Sequence, residues 1–167
     1  MTTSLQIMAA QVDPGLFDLP WNTPLAEWPE DIIAALPRGI SRHTVRFVYL
    51  GERIIAVKEI GESVAYREYE MLRDLGRHDA PAVEPVAVVT GRSTPNGERL
   101  SDALITEHLA YSLPYRAIFG QHQRKDSVRR LIDGLSVLMV RIHLLGFYWG
   151  DVALSNTLFR IDAGEFA

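Results

Sequence analysis

The chain has 167 residues, the size of one ordinary domain or of one lobe with part of a second. Of these, 47% are hydrophobic and 23% charged, enough to bury a core beneath a polar surface. A formal net charge of −4 argues against a general nucleic-acid or anionic-membrane surface, and the absence of cysteine excludes disulfides and thiolate metal sites.

Residues 1–12 carry neither a basic flank nor a long apolar run, so no secretory signal is expected there. Residues 1–30 hold Pro14, Pro20, Pro24 and Pro29 with Phe17, Trp21 and Trp28 between them. Prolines at that spacing forbid a long helix and suggest an extended arm that packs its aromatics onto a folded body. Pro29-Glu30-Asp31 has the composition of a helix start, and a short helix is expected over 31–36, stopped by Pro37.

A strand pair follows. Residues 43–50 are rich in Val, Thr, Phe and Tyr, Gly51-Glu52 make a turn, and residues 53–60 return as a second strand. Strand alternation puts Ile54, Ala56, Lys58 and Ile60 on one face, so Lys58 is a cation among apolar neighbours. Either it snorkels to water at the strand end, or it has an anionic partner. Ser63 is placed to cap a helix running to Leu75 and ended by Gly76, with an apolar stripe of Ala65, Leu72 and Leu75 supported by Val64 and Met71. Glu68 falls on that stripe and Glu70 on the polar face. Glu68 is therefore the expected partner of Lys58; the alternative is a half-exposed residue bridging to Arg67 or Arg73.

Residues 83–89 and 103–107 read as further strands, joined by a polar hairpin loop over 92–99. Ser112-Leu113-Pro114 reads as a connection, 115–119 as a helix-like segment and 121–126 as a charged loop. A long helix is expected from Asp126 to Leu145, stopped by Gly146. Its apolar content is interrupted by Asp133, Arg141 and His143 and is too short to span a bilayer, so no transmembrane segment is expected and the protein reads as soluble and cytoplasmic. Apolar residues on several sides of that helix, including Leu131, Leu135, Leu138, Val140 and Ile142, point to self-association through it. A strand is expected over 157–161, with Asp162 in the turn after it.

Between the long helix and that strand lies Gly150-Asp151, with Asn156 five positions on. Phosphoryl transfer uses such a pair, an aspartate that orients the attacking hydroxyl and an asparagine that reaches magnesium. The plainer reading is a Gly-Asp turn followed by an Asn turn.

Four stretches in this order resemble the protein-kinase-like fold. Ala56-Val57-Lys58 is similar to the strand whose lysine holds the ATP phosphates. Arg67-Glu68-Tyr69-Glu70-Met71-Leu72 is similar to the helix whose glutamate pairs with it. Leu104-Ile105-Thr106-Glu107-His108-Leu109 resembles the gatekeeper and hinge, and the stretch from His143 through Gly146, Trp149, Gly150 and Asp151 to Asn156 resembles the catalytic loop. The loop is closest to the form found in small atypical kinases and bacterial lipopolysaccharide (Kdo/heptose) kinases. Gly39-Ile40-Ser41-Arg42-His43 and Gly150-Asp151-Val152-Ala153-Leu154-Ser155-Asn156 further resemble an uncharacterised actinobacterial domain family of that group. The resemblance covers about residues 35–167.

It implies an α+β fold with a kinase-like N-lobe, an antiparallel sheet plus one helix, over 31–109. The start of a helical C-lobe would follow over 110–167, making the chain a truncated domain. It also implies ATP and magnesium as cofactors and a hydroxyl acceptor on a sugar or protein. Lys58 and Glu68 would position the phosphates, Glu107 and Leu109 would meet the adenine, and Gly39 and Ser41 would lie in the phosphate loop. Asp151 would be the catalytic base and Asn156 a catalytic residue and metal ligand. The pattern departs in three places. Residues 37–43 hold only Gly39 where kinases are glycine-rich, Trp149 replaces a histidine, and no second metal-binding aspartate is recognisable beyond Asn156, since Asp162 reads as a turn residue. Two functions compete on these grounds: an ATP-dependent phosphotransferase, incomplete and inactive in this chain, and a non-catalytic nucleotide- or partner-binding module of pseudokinase type. A purely structural interaction domain leaves Lys58 and Glu68 on apolar faces without a reason.

Overall fold

The computed structural model describes residues 4–36, 42–114, 118, 125–150, 157–162 and 165–166. The chain divides into two compact units: Met1–Leu36, Arg42–Asp74 and Ala82–His108 form the first, and Pro37–Ser41, Leu75–Pro81 and Leu109–Ala167 the second. The fold is α+β.

The first unit is built on a five-stranded antiparallel sheet of β1 (Gln6–Met8), β2 (Val45–Leu50), β3 (Arg53–Ile60), β4 (Pro85–Thr90) and β5 (Asp102–Glu107), in the order β1-β4-β5-β3-β2. The β2–β3 hairpin follows from alternating β-branched and aromatic residues around Gly51, whose φ of +61° suits a tight two-residue turn. In the register, Lys58 pairs with Val45 on β2 and Leu104 on β5.

Each face of the sheet has its own cover. Helix α1 (Glu62–Arg77) lays Ala65 and Tyr69 against Ile60, Val88 and Leu104. On the other face Leu16, Trp21, Leu25 and Trp28 of the arm pack on Val48, Ile55, Val57 and Ile105. The arm is thus part of the core rather than an appendage, and β1 extends the sheet beside β4. Its two indoles meet edge to face at 5.1 Å, and each buried N–H is satisfied locally, Trp21 Nε1 by Leu16 O and Trp28 Nε1 by Thr23 O.

Several elements differ from the sequence-based expectation. Residues 31–36 are not a helix: a single 3-10 turn, Glu30–Ile32, leads to Ile33, which bridges Val48, while Ala34 N–H donates to Phe47 O at 2.8 Å. A six-residue helix makes few hydrogen bonds to offset its nucleus, and β-branched Ile33 pairs instead with the strand beside it. Helix α1 starts before Ser63 and runs through Gly76. Gly61 O accepts from Val64 and Ala65 N–H, and the helix stops where Asp79 turns left-handed (φ +51°) and Ala80 N–H reaches Leu75 O. Its buried stripe uses Tyr69, whereas Val64 and Met71 are exposed.

Arg92 is the largest discrepancy. The 92–99 loop does form, with Ser93 bridging Arg99 and Thr94 N–H donating to Glu98 O. Its first residue, however, turns inward and is 1% exposed. Arg92 Nη1 donates to Glu59 Oε1 (2.9 Å) and Ser101 O (2.8 Å), Nη2 to Thr23 O (2.8 Å) and Nε to Trp21 O (3.2 Å). Leu25 N–H completes the cluster by donating to the same Glu59 oxygen. A buried guanidinium is tolerated when its donors are matched by a carboxylate and carbonyls, as here.

In the second unit, helix α2 (Lys125–Leu144) ends in a Schellman motif. Gly146 has φ +86°, its N–H donates to His143 O, and Phe147 N–H reaches Ile142 O. Ser112–Pro114, expected as a connection, is a strand (β6), paired with β7 (Leu158–Asp162), which pairs in turn with β8 (Glu165–Phe166). Ile118, Leu131 and Phe159 form a small core with Leu113 against it. The helix-like segment at 115–119 and the loop at 121–126 lie largely outside the described residues, Lys125 being already helical. Among the described residues no helix is long and apolar enough to cross a membrane.

Candidate functional site

Lys58 sits near the end of β3 on the α1 side of the sheet. Period-two alternation separates it from Ile55, Val57 and Glu59, which face the arm. Its own face is only partly closed: Ile54, Ala56 and Lys58 are half-buried, and Ile60 alone is buried. From α1, Glu68 reaches across one turn before Leu72. Lys58 Nζ donates to both carboxylate oxygens, at 3.0 and 2.9 Å. The two side chains are 28% and 31% exposed, so the pair is held by the protein yet reachable from solvent. An ammonium has three donors. With two given to Glu68, the third has no partner among the described residues.

The alternative partners for Glu68 are not used. Arg73 pairs instead with Glu70 at 3.4 Å and lies over the Tyr69 ring. Tyr69 also ties α1 to the arm, since its hydroxyl accepts from Ala10 N–H at 2.8 Å. The carboxylate is therefore offered to Lys58 from a helix anchored on both sides.

At the end of β5, Glu107 N–H donates to Glu84 O (2.8 Å) and His108 N–H to Ile54 O (3.0 Å). Those two donors are spent in the sheet. Leu109 N–H makes no hydrogen bond among the described residues, while Leu109 O accepts from the Ser112 hydroxyl. The Glu107 side chain turns to Arg53, which also pairs with Asp13 at 2.6 Å. The Asp13 carboxyl is held below its ordinary value, first by the Gly15 N–H it accepts from and then by Arg53. His108 packs edge-on against Phe47 at 5.1 Å, and burial holds its imidazole below the ordinary value, so it favours the neutral form.

Of the residues singled out from the sequence, the structure brings Lys58 to Glu68 and sets Glu107 and Leu109 at the end of the neighbouring strand. Gly39, Ser41, Asp151 and Asn156 lie outside the described residues. Asp162 closes β7 opposite Glu165, in keeping with its reading as a residue at a hairpin turn. Among the described residues no group of three or more acidic or histidine side chains could hold a metal ion.

Two functional details were not read from the sequence. One is the Glu59–Arg92 cluster on the reverse of β3, signalled only by a glutamate alternating with Lys58. The other is the engagement of Glu107 and His108 N–H, which depends on strand order. No protein-family model, no curated protein and no solved structure matches this chain.

Proposed function

We propose that residues 35–167 form a kinase-like, ATP-binding phosphotransferase module. The observation that carries the reading is the Lys58–Glu68 pair: a half-exposed ammonium, aimed by both oxygens of a helix carboxylate, whose third donor has no partner among the described residues. That is the chemistry needed to receive a phosphate chain, because the carboxylate fixes the ammonium without closing it off. The adenine edge would be met just after β5, where Leu109 N–H makes no hydrogen bond among the described residues. Gly39 and Ser41 would serve in a phosphate loop. Asp151 would take the acceptor's proton and Asn156 would hold magnesium, which would supply charge neutralisation between the phosphates. The acceptor is a hydroxyl of a sugar or protein, and dependence on ATP puts the protein in the cytoplasm.

A second reading, a nucleotide-binding module without turnover, is favoured by one observation: Asp162 ends β7 opposite Glu165, a hairpin-turn position rather than that of a metal ligand. A turnover assay with ATP and magnesium separates the two. Phosphate transfer or ATP hydrolysis that disappears in Asp151→Asn supports the phosphotransferase, and binding lost in Lys58→Met without any turnover supports the module. An absence of ATP binding at millimolar concentration overturns both.

A further inference from the structure

We infer that the outward face of α2 is a self-docking surface, on which a second copy of this chain pairs its α2 antiparallel to the first. The helix buries Leu131 and Ile142 on one side. On the opposite side, at a spacing of three and four, lie Asp133, Val137, Val140 and Leu144. Val137 is 59%, Val140 57% and Leu144 83% exposed, an apolar stripe on the solvent side of a helix whose other side already has its core.

Charge and space on that face are self-complementary. Asp133 lies four residues before Val137 and Arg141 four after it. In an antiparallel pair centred on Val137, Asp133 of each copy therefore faces Arg141 of the other, twice by symmetry. The same register sets Val140 against Gly134 of the second copy, three residues either side of the centre. A Cβ built on Gly134 would meet nothing within 4 Å, so a valine can close on its backbone there. Leu144 falls on Arg130, whose aliphatic stem can cover it. Arg141 keeps its Nη2 contact with Asp79 O at 3.1 Å, and a guanidinium has further donors for a carboxylate. A parallel pair would place Asp133 on Asp133 and Arg141 on Arg141, so charge selects the antiparallel, isologous arrangement. A 20-residue helix is about 30 Å long and offers an interface at the small end of the stable range, so the dimer is expected to be weak, on the order of micromolar.

This inference is independent of nucleotide binding. The test is sedimentation velocity of the full chain from about 1 µM to about 500 µM, bracketing that expected affinity. The expected result is a concentration-dependent monomer–dimer equilibrium, abolished by Val137→Asp. Asp133→Arg and Arg141→Asp should each weaken it roughly tenfold, and the double charge exchange should restore it to within about threefold. All these side chains are exposed, so the far-UV spectrum should stay unchanged. Should Val137→Asp fail to fold, the charge-exchange cycle still decides. A monomer at every concentration overturns the inference, as does a dimer indifferent to Val137→Asp, or a double exchange no better than the single ones. A heterologous partner as the true occupant would give the first of these results.

Discussion

Arg92 holds more of the first unit together than any other polar residue described. It joins Glu59 on β3 to the carbonyls of Trp21 and Thr23 in the arm, and it is buried while doing so. Removing it takes the only charged donor from Glu59, which keeps Leu25 N–H, and leaves the Trp21 and Ser101 carbonyls short of the donor they have now. Arg92→Met should therefore cost about 3–5 kcal/mol in urea unfolding, and a value under about 1 kcal/mol would show that the arm is held by its tryptophans alone. Gly91, next to it, has φ +67°, and a Cβ there would run into the Ser4 carbonyl oxygen. Gly91→Ala should destabilise by more than the roughly 1–2 kcal/mol of the left-handed conformation alone. The pH dependence follows from two shifted groups. Burial lowers His108 below 6.5, so the unfolded chain protonates first and stability falls as pH drops below about 6.5. Asp13 is held below 3.8 by Gly15 N–H and Arg53, so its contribution is present above that value and is lost as pH falls further. In thermal melts, His108→Asn should lessen the loss of stability below about pH 6.5, and Asp13→Asn the further loss below about pH 3.8.

At the scale of elements, β2, β3 and α1 were legible because local and tertiary preferences agree there: alternation around Gly51, then a 3.6-residue stripe beginning after Gly61. The charge on each apolar face was legible for the same reason, and Lys58 and Glu68 do meet. Legibility ended where a partner from elsewhere decided the outcome. Ile33 is extended because Val48 lies beside it, and β6 is a strand because β7 is available to pair with it. Arg92 opens a run of polar residues that is otherwise mostly solvent-exposed, and only its bonds to Glu59 and the arm show that it belongs to the core. For the candidate site, pairing of Lys58 could be argued from one strand and one helix. The use of Glu107 and His108 N–H could not, because it requires knowing that β5 lies between β3 and β4. Strand β3 is thus clamped at two consecutive residues, Lys58 to α1 and Glu59 to Arg92, on opposite faces. Because Lys58 and Glu68 are about a third exposed, their ion pair should contribute less than about 1 kcal/mol to stability. Glu68→Gln should leave the urea midpoint nearly unchanged, and a loss of several kcal/mol would mark the pair as structural.

For the whole molecule, the two units carry different parts of the proposed chemistry. The first holds Lys58, the cation proposed to receive phosphates, and its carboxylate; the second holds the segment from Gly146 to β7 in which Asp151 and Asn156 occur. The first has two faces of its sheet covered and buried charges matched. The second has a small core of Ile118, Leu131 and Phe159 and leaves one side of α2 apolar and open. A chain so arranged would bind nucleotide through the first unit and meet other molecules through the second. The central claim is that Lys58, aimed by Glu68, receives phosphates. Its most direct measurement is a calorimetric titration of the full chain with ATP and magnesium beside Lys58→Met, both checked for an unchanged fold. Saturable binding should weaken at least about tenfold in the variant, the loss expected for one charged phosphate contact. Binding of equal strength in the two proteins would contradict it.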